Sequence, residues 1–133
     1  MQGLPPRATP TSRTYWSALA REEIYLPNCR SCGRFFFYPR VFCPHCTSRD
    51  LTWLPATEPA SLYTWSVAEV AVSAAFAHLV RPVLAVAELH GVHIPTSLVD
   101  TAPEQIVIGM PLQPVFDHET YAGFTLLRFR GVA

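Results

Sequence analysis

Lysine is absent from the sequence, and all ten cationic side chains are arginine. Ten acidic residues balance them, so the formal net charge is zero. Proteins that bind nucleic acid usually carry an excess of cationic side chains, because these neutralise the phosphates. The composition therefore disfavours nucleic acid as a partner.

Long apolar runs are missing as well. No stretch reaches the ~18 apolar residues that a transmembrane helix needs, and residues 1–10 contain no apolar segment of the signal-peptide kind. We therefore expect a cytoplasmic protein with no membrane contact. Since 50% of the residues are hydrophobic and only 15% are charged, the chain has the composition of a globular domain.

The common catalytic motifs are absent too. There is no phosphate-binding loop, no dinucleotide-binding glycine motif, no Gly-x-Ser-x-Gly and no His-Glu-x-x-His. The histidines outside the cysteine region are scattered in or beside expected loops: His78, His90, His93 and His118. We expect no catalytic activity from the chain alone, and an autonomous enzyme that pairs Glu88 with a loop histidine is a less favoured alternative.

The four cysteines form two pairs, Cys29 with Cys32 and Cys43 with Cys46. Two residues separate the members of each pair, so both sulfurs can point at one ion from a tight turn. Four thiolates in a tetrahedron are typical of structural zinc, and they leave no coordination position open for catalysis. Gly33 permits the positive φ that aims backbone N–H groups at a sulfur, whereas Thr47 suits the equivalent place less well.

Other uses of these cysteines are less consistent with the sequence. Two disulfides require an oxidising compartment, for which no signal is visible. A redox-active Cys-x-x-Cys is normally single and begins a helix. Iron in a rubredoxin-like site takes the same ligands, but rubredoxin separates its pairs further. We therefore predict one structural zinc ion, with iron less favoured.

The residues before and between the cysteine pairs predict a helix and an aromatic hairpin. A helix starts at Thr11 or Ser12 and runs to about residue 23, and Trp16, Leu19 and Ala20 share a face that must pack on the domain or on a partner. In the segment 34–40, strand alternation places Phe35 and Phe37 on one face and Phe36 and Tyr38 on the other. One of these faces either forms an exposed patch or packs on the neighbouring domain.

Beyond residue 50 the pattern is all-β. Alternation and turn residues predict strands at 62–72, 83–89, 93–99, 112–117 and 124–129, with a short turn at 102–105. Five short strands in this arrangement fit a Greek-key barrel of OB type, and a five-stranded sandwich fragment is the alternative. We divide the chain into an arm and helix (1–26), a zinc ribbon (27–50) and a barrel domain (51–133).

Several motifs together resemble a known family. They are Cys29-x-x-Cys32-Gly33, Tyr38-Pro39-Arg40, Cys43-Pro44-x-Cys46, Leu62-Tyr63-Thr64-Trp65, Pro82, Leu98-Val99-Asp100 and Ile108-Gly109-Met110-Pro111-Leu112. In this order they resemble the family called domain of unknown function 35, over residues 15–129. The resemblance implies a mainly β fold with an N-terminal helix, a rubredoxin-like zinc ribbon and a C-terminal five-stranded OB-fold barrel. One departure is Glu58-Pro59-Ala60-Ser61, where the family usually has glycines.

The resemblance also implies a function. Members of this family act as non-catalytic accessory subunits of thiolase-superfamily enzymes, including acyltransferase and retro-aldolase complexes of lipid and steroid metabolism. They shape or bridge the acyl-CoA site and are required for an active complex. We therefore expect a hetero-oligomer with a thiolase-superfamily enzyme. A zinc-ribbon and OB module that binds single-stranded nucleic acid is the alternative.

This expectation selects two groups of candidate residues. The first consists of Arg40, in the Tyr-Pro-Arg motif, and Arg81, in the loop between the first two barrel strands, because arginine matches CoA phosphates geometrically. The alternative is that each pairs only with a local acid or a backbone carbonyl. The second group is the expected partner interface, which consists of Trp16, Leu19, Phe36 and Tyr38.

Overall fold

The described part of the chain, residues 4–132 of a computed structural model, contains one α-helix, two single-turn 3-10 helices and seven strands. The helix is α1 (Arg13–Ala20), and the first two strands are β1 (Tyr25–Cys29) and β2 (Leu51–Pro55). The other strands are β3 (Ala60–Val67), β4 (Val83–Leu89), β5 (Val92–Leu98), β6 (Pro111–Tyr121) and β7 (Phe124–Gly131). The mainly β fold class is confirmed. Within residues 4–132, no helix has the length and apolarity needed to cross a membrane.

Helix α1 is shorter than the sequence predicts. The backbone N–H of Arg21 donates to the carbonyl of Ala18 at 3.0 Å, and that of Glu22 donates to Leu19 at 2.9 Å. Glu22 then takes a positive φ of 60°, which ends the helix three residues before the expected boundary.

The buried face of α1 also differs from the expected one. It consists of Tyr15, Ala18 and Leu19, whereas Ala20 is exposed. Trp16 is half-buried and packs edge-on against Phe124, with the ring centroids 5.2 Å apart. Leu19 is fully buried in the core that α1 shares with the barrel. Leu19 is therefore not accessible to a partner. The sequence did not decide whether this helix face packs on the domain or on a partner, and in the structure it packs on the barrel.

The ribbon is built differently from the expected hairpin. Its two antiparallel strands, β1 and β2, lie outside the cysteine pairs, from Tyr25 opposite Pro55 to Cys29 opposite Leu51. The segment between the pairs makes only a single bridge to β1, between Asn28 and Phe35. Because this segment is not an extended strand, side chains in it do not alternate.

The expected sharing of a face by Phe36 and Tyr38 is therefore wrong. Phe36 is 3% exposed and packs with Cys29 and Cys43, whereas Tyr38 is 56% exposed. Phe36 covers the cysteine cluster and is not available to a partner, so only Tyr38 keeps the outward position that was predicted for an interface.

The remaining five strands form a closed barrel in the order β3-β4-β5-β7-β6. Neighbouring strands are antiparallel except β5 and β7, which run parallel where Leu98 meets Phe129. Closure occurs between β3 and β6, where Ala60 lies opposite Leu112. This arrangement confirms the five-stranded OB-type barrel and excludes the open sandwich fragment.

Two barrel boundaries differ from the expected ones. Strand β3 ends at Val67 rather than at residue 72, so the β3–β4 loop begins earlier than predicted. Strand β6 runs to Tyr121, so the predicted loop 118–123 shrinks to a tight turn. In that turn Gly123 has a φ of 83°, a value that glycine adopts without a Cβ clash.

The barrel interior is filled by alternate residues of each strand. On β4 these are Val83, Ala85, Ala87 and Leu89, all at most 6% exposed. Side chains from β3, β5, β6 and β7 complete the interior, with Phe129 fully buried. Tyr15, Leu19 and Leu26 belong to the same cluster, so the helix, the ribbon and the barrel share one core.

Candidate functional site

The four cysteine sulfurs lie together at one end of the ribbon, all within 4.8 Å of one another. The sulfurs of Cys29 and Cys46 are 3.5 Å apart, and those of Cys32 and Cys43 are 3.7 Å apart. Zinc–sulfur bonds of about 2.3 Å in a tetrahedron place sulfurs about 3.8 Å apart. None of the four cysteines is in a disulfide. The cluster therefore has the size that a tetrahedral metal ion requires.

Each cysteine pair sits on a tight turn. Gly33 donates its N–H to the carbonyl of Cys29 at 2.7 Å, and Thr47 donates to Cys43 at 2.8 Å. The φ angles of Gly33 and Thr47 are 77° and 65°, so the two turns have the same form. The positive φ expected at Gly33 is confirmed. Thr47 reaches the same conformation against the preference of its Cβ.

Backbone N–H groups also point at the sulfurs. Those of Cys32 and His45 lie 3.5 Å from the Cys29 sulfur and 3.3 Å from the Cys43 sulfur, respectively. The Cys32 N–H is the main reason that the pKa of Cys29 is lowered to about 6. At Cys46 the Ser48 N–H lowers the pKa, but the neighbouring sulfurs, Cys29 first, together with burial raise it to about 12. Four thiols this close cannot all ionise without a cation between them, so the donor set suits a metal that binds thiolates.

The two candidate arginines lie in different surroundings. Arg81 forms an exposed ion pair with Glu69, with 3.2 Å between Nη2 and Oε1. Arg40 is exposed and makes no ion pair with any described residue. It lines a shallow depression of about 320 Å³ together with Val41, Thr52 and Trp53. Of the two, Arg40 is the one whose charge is free to meet an anion.

Arg40 lies in the positively charged part of the chain, although the net charge of the whole chain is zero. Residues 1–50 contain seven arginines and three acidic residues, whereas residues 51–133 contain three arginines and seven acidic residues. Arg34 and Arg49 are exposed, like Arg40, and also lack an ion pair within residues 4–132. Counting charge separately for each unit would have revealed the basic ribbon from the sequence.

The most exposed large apolar side chains among residues 4–132 lie in the β3–β4 loop, of which residues 70–72 were predicted to belong to a strand. In the β3–β4 loop, Val72 and Val80 are each 89% exposed, and Val70 is 81% exposed. The signal in the sequence is the uncharged run of residues 70–80. Of the four predicted interface residues, Tyr38 remains exposed and Trp16 half-exposed, while Leu19 and Phe36 are in the core.

Three histidine–carboxylate pairs occur outside the cysteine cluster among the described residues, and the pair of His93 and Glu88 is the shortest. His93 Nε2 lies 2.7 Å from Glu88 Oε2, and the ring of Tyr63 stacks on His93 with 3.9 Å between centroids. Both members are nearly half exposed on the outer face of the barrel. No other described side chain hydrogen-bonds to either, so the pair has no nucleophile to activate.

Comparisons with known proteins agree with this architecture. Residues 16–52 match a family model described as "ChsH2, rubredoxin-like zinc ribbon domain". A "DUF35 domain-containing scaffold protein" of Methanocaldococcus jannaschii is 33% identical over 90 residues, which are 66% of this chain and 63% of the relative. Another, of Methanothermobacter thermautotrophicus, is 29% identical over 110 residues, covering 81% and 82%. The resemblance to the DUF35 family is confirmed.

Two solved DUF35 structures have a similar fold. A chain of the "Ltp2-ChsH2(DUF35) aldolase" superposes with a TM-score of 0.82 at 29% identity, and the match covers 96% of this chain and 98% of that one. A DUF35 protein of Sulfolobus solfataricus gives a TM-score of 0.67 over 94% and 87% of the chains, and its 13% identity shows the shared fold alone.

A larger relative contains a segment that is similar to this chain. The "probable enoyl-CoA hydratase alpha subunit" of Thermomonospora curvata is 32% identical over 114 residues, which are 84% of this chain but 35% of that protein. The chain thus spans less than two thirds of the length of this relative and of the M. jannaschii protein.

Proposed function

We propose that the chain is a non-catalytic accessory subunit of a thiolase-superfamily enzyme that acts on acyl-CoA. The observation that carries this proposal is the match, over nearly the whole of both chains, to a chain of an aldolase named for its DUF35 component. The scaffold names of two relatives point in the same direction. The relative named as an enoyl-CoA hydratase subunit supports acyl-CoA as the substrate class.

The metal of this subunit is proposed to be one zinc ion. Cys29, Cys32, Cys43 and Cys46 would hold it, and the sulfur separations fit a zinc tetrahedron. With four protein ligands the ion has no coordination position open for a substrate, so it acts only as a cross-link. The cross-link ties together the two turns that Phe36 covers, and in this way it stabilises the surface that carries Tyr38 and Arg40.

Reaction chemistry is assigned to the partner. All four thiols of this chain are in the metal cluster, and the Glu88–His93 pair lies on an open surface without a nucleophile among residues 4–132. The chain instead contributes to the acyl-CoA entrance, where Arg40 binds a CoA phosphate from the basic ribbon. The exposed apolar side chains of the β3–β4 loop and Tyr38 suit a protein interface.

Co-expression tests this proposal directly. The full chain is produced with a thiolase-superfamily protein from the same genome, and the complex is isolated by size exclusion. We expect co-elution, and we expect acyl-CoA turnover by the complex but not by either component alone. If the two proteins elute separately at micromolar concentration and the enzyme is equally active without the chain, the proposal fails.

A second candidate function rests on the charge asymmetry. Seven arginines in residues 1–50, with aromatic side chains among them, would also suit single-stranded nucleic acid. Titration of fluorescein-labelled oligo-dT at 50 mM and 200 mM salt distinguishes the two functions. Binding that weakens steeply with salt would favour this second role, and absence of binding at 50 mM would exclude it.

A further inference from the structure

A broad groove lies where the helix, the ribbon and the barrel meet. We call it the junction groove; its volume is about 990 Å³. Its walls include Tyr15, Trp16, Phe37, Leu79, Leu84 and Leu126. This volume is at the upper end of the range of about 300–1,000 Å³ that is typical of small-molecule sites. Neither the cysteines nor Arg40 line this groove, so it is separate from both candidate sites described above.

Among the tyrosines that line this groove, Tyr15 is the most buried one whose hydroxyl lacks a partner in the described part of the chain, since Tyr38 and Tyr121 are more exposed. Tyr15 is only 8% exposed, yet its phenol oxygen makes no hydrogen bond to any described residue. Within residues 4–132, no fully buried side-chain polar atom is left unpaired, so this oxygen keeps access to the groove. A nearly buried hydroxyl without a protein partner is costly unless another molecule completes its hydrogen bond.

The hydroxyl is suited to donate. Burial, and then the proximity of Tyr38, raise the pKa of Tyr15 well above its usual range, so the phenol stays protonated. The rings of Trp16 and Phe37 pack edge-on against Tyr15 at centroid distances of 5.3 Å and 5.4 Å. These contacts hold the ring in one orientation, so the hydroxyl is positioned before a ligand arrives.

The groove carries no free charge on its barrel wall. Arg128 lines it, but its Nε donates to Asp117 at 2.7 Å and its Nη1 donates to Ser97 at 2.6 Å. Thr96 is similarly occupied, because its hydroxyl donates to the Leu127 carbonyl at 2.9 Å. An anionic group would find no unpaired arginine on this wall, and the only other basic side chain lining the groove is the imidazole of His78 in the β3–β4 loop. The mainly apolar lining therefore fits a neutral ligand.

We propose that the junction groove binds a neutral, mainly apolar group that carries one carbonyl or hydroxyl oxygen, and that this oxygen accepts a hydrogen bond from Tyr15. The group is either a free lipid-like molecule or the acyl part of a CoA thioester, since both present an apolar chain next to an oxygen. This site goes beyond the proposed accessory role, because it assigns a ligand to the isolated chain.

The test measures binding of 2-decanone to the metal-loaded full chain by isothermal titration calorimetry. Tyr15→Phe keeps the ring and removes the hydroxyl, and it should weaken binding about fivefold. Leu84→Arg places a charge on the barrel wall and should abolish binding; Leu84 is 49% exposed, so the fold tolerates the change. Val86→Arg is the matched control, because Val86 lies two residues further along the outer face of β4, does not line the groove and should leave the affinity unchanged.

Decanoyl-CoA and CoA distinguish the two sources of the ligand. If decanoyl-CoA binds with the same sensitivity to Tyr15→Phe and CoA does not bind in the groove, the acyl part of a thioester is a ligand. If only 2-decanone shows that sensitivity, the ligand is a free molecule. The inference is overturned if the unmodified chain binds neither decanone nor decanoyl-CoA, or if Tyr15→Phe and Leu84→Arg bind both as tightly as the unmodified chain. Because no partner enzyme is present, this outcome is independent of the test of complex formation.

Discussion

The guanidinium of Arg81 lies 3.2 Å from the carboxylate of Glu69, and this ion pair joins the two ends of the β3–β4 loop. Arg81 was a candidate for binding a CoA phosphate, but Glu69 already neutralises its charge. Arg40, in the ribbon, has no such acid among the described residues. The two arginines are therefore unequal candidates for binding CoA.

Substitution of these arginines should reveal the difference. Arg40→Ala should weaken the affinity of the enzyme complex for CoA by about tenfold, because it removes a charge-assisted hydrogen bond to a phosphate. Arg81→Ala should change that affinity less than about twofold, since its guanidinium is already paired. Titration of CoA into the complex measures both variants. An unchanged affinity in Arg40→Ala would eliminate direct contact with CoA at this residue.

Loss of one cysteine should release the metal. Cys43→Ser removes a buried ligand, and structural zinc contributes on the order of 10 kcal/mol in small modules, so we expect the ribbon to unfold while the barrel strands persist. His45→Ala is the control, because only its backbone N–H approaches a sulfur. Elemental analysis should find about one zinc per chain in the unmodified protein and in His45→Ala, and almost none in Cys43→Ser. Native protein without zinc or iron would contradict the metal assignment.

The ion pair of Asp117 with Arg128 should make the stability depend on pH. Burial raises the pKa of Asp117, but hydrogen bonds from Thr120, Arg128 and two backbone N–H groups outweigh burial and hold it well below its usual range. A carboxyl whose pKa is lowered by folding stabilises the native state above its unfolded pKa of about 3.9, and this contribution is lost as the pH falls towards the folded value.

Asp117→Asn should therefore lower the free energy of unfolding by about 2 kcal/mol at pH 7. Below pH of about 4 the difference from the unmodified chain should shrink, because the Asp117 carboxyl becomes protonated in the unfolded state there while it stays ionised in the folded state. Urea titrations of both chains between pH 3 and pH 7 measure this difference. A difference that stays constant over the whole range would show that the charge of Asp117 is not responsible.

Two neighbouring aromatics should respond in opposite ways. Tyr38→Ala should cost about 2 kcal/mol of binding to the partner enzyme and leave the melting temperature nearly unchanged, because its side chain is mostly exposed. Phe36→Ala should cost about 3–5 kcal/mol of folding stability, since the side chain is buried beside Cys29 and Cys43. Calorimetry and a binding titration on each variant separate these effects. Full partner affinity in Tyr38→Ala would remove this residue from the interface.

The sequence by itself determined the four-cysteine cluster and the kind of barrel. Ligand spacing is a local property, so two-residue gaps produce the two tight turns whatever the rest of the chain does. The number of barrel strands followed from alternation and from the turn residues between the strands. These features depend on a few neighbouring residues.

Only the tertiary structure decided which side chains remain accessible. Leu19 is covered by barrel residues far from it in the chain, and Phe36 is enclosed where the two cysteine turns come together. The sulfur cluster is framed by strands β1 and β2, which alternation did not predict. The pairing of Arg81 with Glu69, and the open hydroxyl of Tyr15, likewise depend on how distant segments pack. Burial and ion pairing are long-range properties of packing, so the free surface of this chain could not be derived from local patterns.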